Sequence, residues 1–198
     1  MKKVLVVGGG GRCHAIVDAL SRSPQVSQIF CAPGNAGIAS QATTVPVADT
    51  DVEALKAFAI KECIDLTVVG PEASLAAGIV DSFREAGLEI FGHSRSATMI
   101  ESSKEFAKRL MLEHGIPTAA YRCFTSYDEA LAYVDSRPYP AVIKYDGLAA
   151  GKGVVIAADR READDALRSM LLDGAFGEGK VVIEDWLEGP EFSFMCFV

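Results

Sequence analysis

The sequence contains no apolar run long enough to cross a membrane. Its start, Met1-Lys2-Lys3, leads into four apolar residues and then glycines, too short a stretch for the apolar part of a secretion signal. Cysteine is scarce and badly spaced for bridging: there are five, an odd number with no Cys-x-x-Cys pair, which excludes a disulfide framework and the usual zinc patterns. Cys31 and Cys196 stand in strand-like runs, where a free thiol behaves as a small hydrophobe. The three histidines, His14, His93 and His114, share no ligand spacing, and His114 reads as a partner of a helix dipole. Positive charge is also short. With 19 Lys and Arg against 27 Asp and Glu, the net charge of −8 argues against a general nucleic-acid or anionic-membrane surface, so any phosphate site must be local. No internal repeat or low-complexity segment is visible. These absences predict a soluble, cytoplasmic protein in a reducing compartment.

What is present is ordinary for a globular chain: 198 residues, 49% hydrophobic and 23% charged, enough to bury one large or two small cores. Val4-Leu5-Val6-Val7 is a continuous apolar run, the mark of a strand buried on both faces of a parallel sheet. Gly8–Gly11 turn the chain into a helix over His14–Leu20, and Gln28–Ala32 is a second strand. Thr50-Asp51-Val52-Glu53 predicts a capping box for a helix towards Glu62. Leu66–Val69 is the next strand, followed by the turn Gly70-Pro71-Glu72, a helix over Leu75–Glu85 stopped by Gly87, and a short strand at Ile90–Phe91. This alternation predicts a doubly wound α/β domain, closed by a helix over Ser103–His114. From Tyr121 the pattern becomes a small α+β module. It has strands at 121–124, 141–144, 154–157 and 181–183, helices capped at Ser126 and Asp159, and a final alternating strand over Glu191–Val198. The expected boundary lies near Ile116–Ala120, giving domains 1–118 and 119–198.

The stretch richest in chemistry is Lys144-Tyr145-Asp146-Gly147-Leu148-Ala149-Ala150-Gly151-Lys152-Gly153-Val154, read as strand, mobile loop and strand with a cation at each end of the loop. Small residues let backbone N–H groups approach an anion, and lysines supply point charges, so a polyphosphate is the natural ligand. It is not a P-loop: the glycine spacing is one residue short, Gly153 replaces the hydroxyl residue, and a strand follows. A glycine-rich hairpin with two exposed lysines is the plain alternative. In the first domain, Gly8–Arg12, Pro33-Gly34-Asn35 and Gly70-Pro71-Glu72 fall at the carboxyl ends of parallel strands, where open α/β sheets bind ligands. A dinucleotide fingerprint would need glycine at Cys13 and an acid where Cys31-Ala32-Pro33 stands, so NAD is disfavoured. The helix start with Arg12 still suits a single phosphate. Glu72 suits ribose hydroxyls or an amine, or is a solvated loop acid. Cys13, with only His14 beside it, does not make a nucleophile. Lys104 opens a helix, where the macrodipole disfavours a cation unless an anion sits nearby. Glu184, Asp185, Glu188 and Glu191 crowd around Trp186, the single tryptophan; this segment either holds an adenine and ribose or is an acidic turn.

Taken together, the motifs are similar to the amino-terminal part of the glycinamide ribonucleotide synthetase family, ATP-grasp enzymes of purine biosynthesis. The resemblance runs from Met1 to Val198. It rests on Val-Leu-Val-Val-Gly-Gly-Gly-Gly-Arg at 4–12, Ala-Pro-Gly-Asn-Ala-Gly at 32–37, Val-Val-Gly-Pro-Glu at 68–72, Ser-Lys at 103–104, Asp-Gly-Leu-Ala-Ala-Gly-Lys-Gly-Val at 146–154, and Glu191-Phe192-Ser193. It implies a doubly wound, Rossmann-like parallel-sheet (preATP-grasp) domain followed by a small α+β ATP-grasp lid subdomain, with the remainder of the grasp fold absent. It also implies a carbon–nitrogen ligase that joins glycine to 5-phosphoribosylamine through a glycyl phosphate, releasing ADP and phosphate. By the same resemblance, Lys104 and Lys144 would touch the nucleotide phosphates, and Gly147, Gly151, Lys152 and Gly153 belong to the loop that closes over them. Glu184, the backbone at Trp186 and Leu187, and Glu191 would hold adenine and ribose. Gly10, Gly11, Arg12, Pro33, Gly34, Asn35, Pro71 and Glu72 would face phosphoribosylamine. Mg²⁺ or Mn²⁺ would accompany ATP in the full-length enzyme, with its ligands beyond Val198 and none in this chain. The chain is therefore expected to be an amino-terminal fragment, inactive alone, whose partners are small molecules rather than nucleic acid or membrane.

Four positions depart from the family's pattern. Cys13 takes the place of an acid, removing a carboxylate expected near the amine or ribose; His93 replaces Pro, Tyr145 a small residue, and Pro190 the first Glu of Gly-Glu-Glu. Two further readings use the same motifs: another purine-pathway ATP-grasp ligase or carboxylase, and a non-catalytic nucleotide or phosphosugar binder.

Overall fold

The structure is a computed structural model that describes residues 1–149 and 151–194. It divides into two compact units, Met1–Ser102 and Ser103–Val198. The units meet ahead of the boundary expected near Ile116–Ala120, so the helix read as closing the first domain opens the second unit instead.

The first unit is built on a parallel sheet of five strands: β1 (Lys2–Gly8), β2 (Val26–Pro33), β3 (Thr43–Thr44), β4 (Leu66–Val69) and β5 (Ile90–Phe91), in the order β3-β2-β1-β4-β5. β1 lies at the centre, and Val4, Leu5, Val6 and Val7 are all buried because helices cover both faces. One face packs Leu5 and Val7 against Leu55, Ile79, Val80 and Phe83; the other packs Val4 and Val6 against Val17, Ile29 and Ile38. The helices are α1 (Gly11–Ser21), α2 (Val52–Glu62), α3 (Glu72–Ala76), α4 (Ile79–Glu85) and α5 (Arg95–Ser102). Asp51, not Thr50, caps α2, accepting a hydrogen bond from the Ala54 N–H at 3.1 Å. The single helix expected over Leu75–Glu85 is two, because Gly78 takes a left-handed conformation (φ +89°) that ends one and starts the next. The short β3 and the α5 helix were not anticipated. β3 is two polar residues, and α5 buries only Thr98, so neither shows an apolar period.

The second unit holds α6 (Lys104–Glu113), α7 (Tyr127–Asp135), α8 (Arg160–Leu171) and an antiparallel sheet of β6 (Tyr121–Phe124), β7 (Ala141–Tyr145), β8 (Val154–Ala157) and β9 (Val181–Asp185), in the order β6-β9-β7-β8. Ser103, Ser126 and Asp159 cap the three helices, accepting from the N–H groups of Phe106, Glu129 and Glu162 at 3.2, 3.4 and 2.9 Å. Ile143, Tyr145, Ala157, Val181 and Ile183 meet Ala130 and Val134 of α7 and Ala163, Leu167 and Met170 of α8 in one core. Burial of each large aliphatic chain there contributes about 1.5–3 kcal/mol. Strand alternation turns Lys144, Glu184, Val154 and Ile156 to the other face. Residues 191–194 form no strand, and Cys196 and the rest of the strand expected over Glu191–Val198 lie outside the described residues.

Candidate functional site

In the first unit the parallel sheet brings three predicted segments to one edge. β2, β1 and β4 are neighbours, so the loops after them, at 33–35, 8–12 and 70–72, are neighbours too. They are tied tightly. The Gly34 N–H donates to Gly8 O at 3.3 Å, and a Cβ on Gly9 would come within 2.6 Å of Gly34 O, so the approach requires glycine. The Asn35 side chain donates to Gly9 O at 2.8 Å and accepts from the Ile38 N–H at 2.9 Å, which makes it a loop fastener. Arg12 donates to Gly70 O at 2.6 Å, and its guanidinium stands 3.6 Å from the Glu72 carboxylate. Glu72 is therefore paired, and it begins α3 rather than ending a turn. The α1 N-terminus has no side-chain cap, and a Cβ on Gly10 or Gly11 would meet nothing within 4 Å. Open space and the positive end of a dipole suit an anion.

Cys13 is buried beneath this edge and does not face solvent. Its sulfur lies 3.6 Å from Val7 O, and a Cβ on Gly8 or Gly70 would come within 2.5 or 2.4 Å of it. The thiol is a 3%-exposed wedge at the ends of β1 and β4. Burial pushes its pKa up, and burial, aided by Cys13, pushes Cys31 up to about 11. Neither is poised as a nucleophile.

In the second unit Lys104, Lys144 and Glu184 converge. Lys144 Nζ lies 2.9 Å from Glu184 Oε1, and Lys108 Nζ lies 2.9 Å from Oε2. Lys104 Nζ donates to Gly147 O at 3.0 Å, which ties the helix start to the glycine-rich loop. The anion that a cation at this helix start needs is Asp146. Its carboxylate accepts from the Glu105 N–H at 3.1 Å and from Ser103 Oγ at 3.3 Å, so it caps α6 from the loop. Burial, followed by the like charge of Lys144, lowers the Lys104 pKa, while Asp146 and Glu184 oppose the shift. The loop between the strands is folded back: the Lys152 N–H donates to Ala149 O at 2.9 Å, and Gly151 is left-handed (φ +78°). Lys152 itself is exposed, and Gly153 is buried. Beside Lys144 on the open sheet face, Val154 and Ile156 are 44% and 50% exposed, an apolar floor for a flat base. Trp186, Leu187 and Glu191 lie exposed on the segment after β9.

Tyr145 points to the opposite face. Its ring lies 5.2 Å from Phe176, with Gly147 and Gly179 against it. An open pocket of about 310 Å³, lined by Tyr133, Arg137, Tyr139 and Trp186 among others, lies at the α7 end of β9; Lys104 and Lys144 are not among its lining residues. Sequence reasoning gave no role to Asp146, Lys108 or the Val154–Ile156 floor. The spacing of Lys104 and Lys108, one helical turn apart, was the available signal for the second lysine.

The fold has counterparts among solved structures. A solved phosphoribosylamine–glycine ligase from Thermotoga maritima superposes with TM-score 0.73 at 28% identity, over 95% of this chain and 44% of that one. A carboxyaminoimidazole ribonucleotide synthase from Aspergillus clavatus, solved in complex with ATP, shares the fold at TM-score 0.71 and 21% identity, over 94% and 47%. These place the fold in the ATP-grasp class. The phosphoribosylglycinamide synthetase N-domain profile matches residues 2–101, and that family's ATP-grasp (A) domain profile matches residues 102–198, so the chain belongs to the phosphoribosylglycinamide synthetase family. A phosphoribosylamine–glycine ligase of Ralstonia nicotianae is 54% identical over 195 residues, 98% of this chain and 46% of the relative. The chain thus spans about half the length of the curated relatives it matches.

Proposed function

We propose that this chain supplies the phosphoribosylamine-binding and nucleotide-binding parts of a cytoplasmic phosphoribosylamine–glycine ligase of purine biosynthesis. In that reaction a glycine carboxylate oxygen attacks the γ-phosphorus of ATP and the bond to ADP breaks. The amine of 5-phosphoribosylamine then attacks the acyl carbon, loses a proton and expels phosphate. In this reading Lys104, Lys144 and the N–H groups of the 147–153 loop bind and orient the polyphosphate, where fixed positive charge favours phosphoryl transfer. The Glu184 carboxylate is committed to two lysines and its backbone to the sheet between β6 and β7, so Glu184 borders the adenine site and the backbone of Trp186 and Leu187, with Glu191, holds adenine and ribose. The α1 N-terminus and Arg12 take the 5-phosphate, and Glu72 and the 33–35 loop take the ribosylamine. Mg²⁺ or Mn²⁺ is implied by the family, but no group of three His, Cys, Asp or Glu able to hold a metal occurs among the described residues, and no step here is routed through one.

The observation that carries the proposal is the convergence of Lys104 and Lys144 on the loop that Asp146 anchors. Thermal shift with ATP and, separately, with ribose 5-phosphate tests it. Lys144→Ala is expected to weaken ATP binding at least about tenfold, as loss of one charge-assisted contact does, and to leave ribose 5-phosphate binding unchanged. Equal loss of both ligands would refute the assignment of the two sites to separate units.

A further inference from the structure

Lys108 belongs to none of the roles above, yet its ammonium is among the most enclosed charges in the second unit, with the residue 8% exposed. It lies 2.9 Å from Glu184 Oε2, donates to Thr118 Oγ1 at 2.8 Å and to Ala119 O at 3.3 Å, and stands 5.7 Å from the centre of the Tyr121 ring. A buried ammonium persists only when paired, and its counter-charge is the carboxylate that Lys144 also approaches. Each oxygen of Glu184 has one lysine at 2.9 Å: Oε2 has Lys108, and the fully buried Oε1 has Lys144, attracted by charge without an aligned hydrogen bond.

The charge count of the group follows. Two ammonium groups and one carboxylate leave one net positive charge, and Lys144, whose side chain is 26% exposed against 9% for Lys108, is the partner a ligand can reach. Without Lys108, Lys144 and Glu184, already 2.9 Å apart, would form a neutral pair, and the carboxylate would offset the Lys144 charge. We propose that Lys108 is a positioning residue of the nucleotide site: by satisfying Glu184 it leaves the Lys144 charge available to a polyphosphate. This rests on the reading of Lys144 as a phosphate ligand.

Calorimetric titration of the chain with ATP tests it, using the unaltered protein, Lys108→Met, Glu184→Gln, the double variant and Lys108→Arg. Lys108→Met is expected to weaken ATP binding about tenfold or more, because the neighbouring carboxylate now competes for Lys144. Removing that competitor should restore binding, so the double variant is expected within about threefold of the unaltered protein. Lys108→Arg keeps the charge and is expected to bind within about the same margin. A purely structural lysine would not be rescued by neutralising its partner, so equal losses in Lys108→Met and the double variant overturn the inference. Should Lys108→Met fail to fold, Glu184→Gln decides alone, since Lys108 keeps its bonds to Thr118 and Ala119 there. Tighter ATP binding supports the inference, and unchanged or weaker binding overturns it. Absence of ATP binding by the unaltered chain would instead overturn the nucleotide reading, and this inference with it.

Discussion

A lysine in the first turn of a helix opposes the helix dipole, and Lys104 is tolerated there because the Asp146 carboxylate sits on the same N–H groups. Burial still wins over that carboxylate, and the Lys104 pKa falls below the ordinary 10.5. A lysine held down in the folded state is a cost while charged, so its contribution to stability improves as pH rises through the lowered value. Nucleotide binding has the opposite sign, since a phosphate favours the charged form. At alkaline pH, between the lowered value and 10.5, ATP binding should therefore take up protons. Titration calorimetry in buffers of different ionisation heat measures this, and buffer-independent heats would remove Lys104 from the phosphate contact. The sequence signalled that Lys104 needed an anion but not which one. Asp146 comes from a loop 42 positions later, and only the fold brings them together. The opposite holds for Cys13, whose oddity was plain in the sequence while its burial between two glycines was not.

Elements were legible where one local signal sufficed. Ser126 with Glu129, and Asp159 with Glu162, mark two helix starts, and both caps form. The break at Gly78 was missed because the apolar period runs through it and only the left-handed backbone reveals it. Tyr145 belongs to this scale as well. It alternates with Lys144, so its bulky ring enlarges the helix-side core and lies against Gly147 of the loop. Space for the ring comes from missing side chains: a Cβ on Gly179 would fall 2.7 Å from the ring. Gly179→Ala is expected to destabilise the second unit by about 1–3 kcal/mol, as overpacking does. In a Tyr145→Leu background the same change should cost less than about half as much, and a double-mutant cycle by denaturant unfolding measures the difference. Additive costs would show that the ring and the glycine do not depend on each other.

At the scale of the molecule, the two units answer to different rules. The first is a parallel sheet whose loops gather at one edge, and its layout follows from the order of apolar runs. The second is antiparallel, and its strand order, β6-β9-β7-β8, cannot be read from the runs alone. That order sets a schedule. β9 is the latest strand in the chain among the described residues and the one that joins β6 to β7, pairing Tyr121 with Glu184 and Ala141 with Asp185. While the polypeptide is being made, the first unit has all its strands long before Val181 appears, whereas β6 must wait without a partner. Long-range closure of this kind is slow and leaves strand edges bare in the interval. Chains ended at Gly179 should therefore show protected amides in β1 and β4 under hydrogen exchange, with those of β6 and β7 unprotected. Protection of β7 in such chains would mean that the β7–β8 hairpin stands without its central strand. Lys108 and Lys144 would then be drawn to a common carboxylate only when Glu184 leaves the ribosome, so this charge cluster is completed after every strand of the first unit has been made.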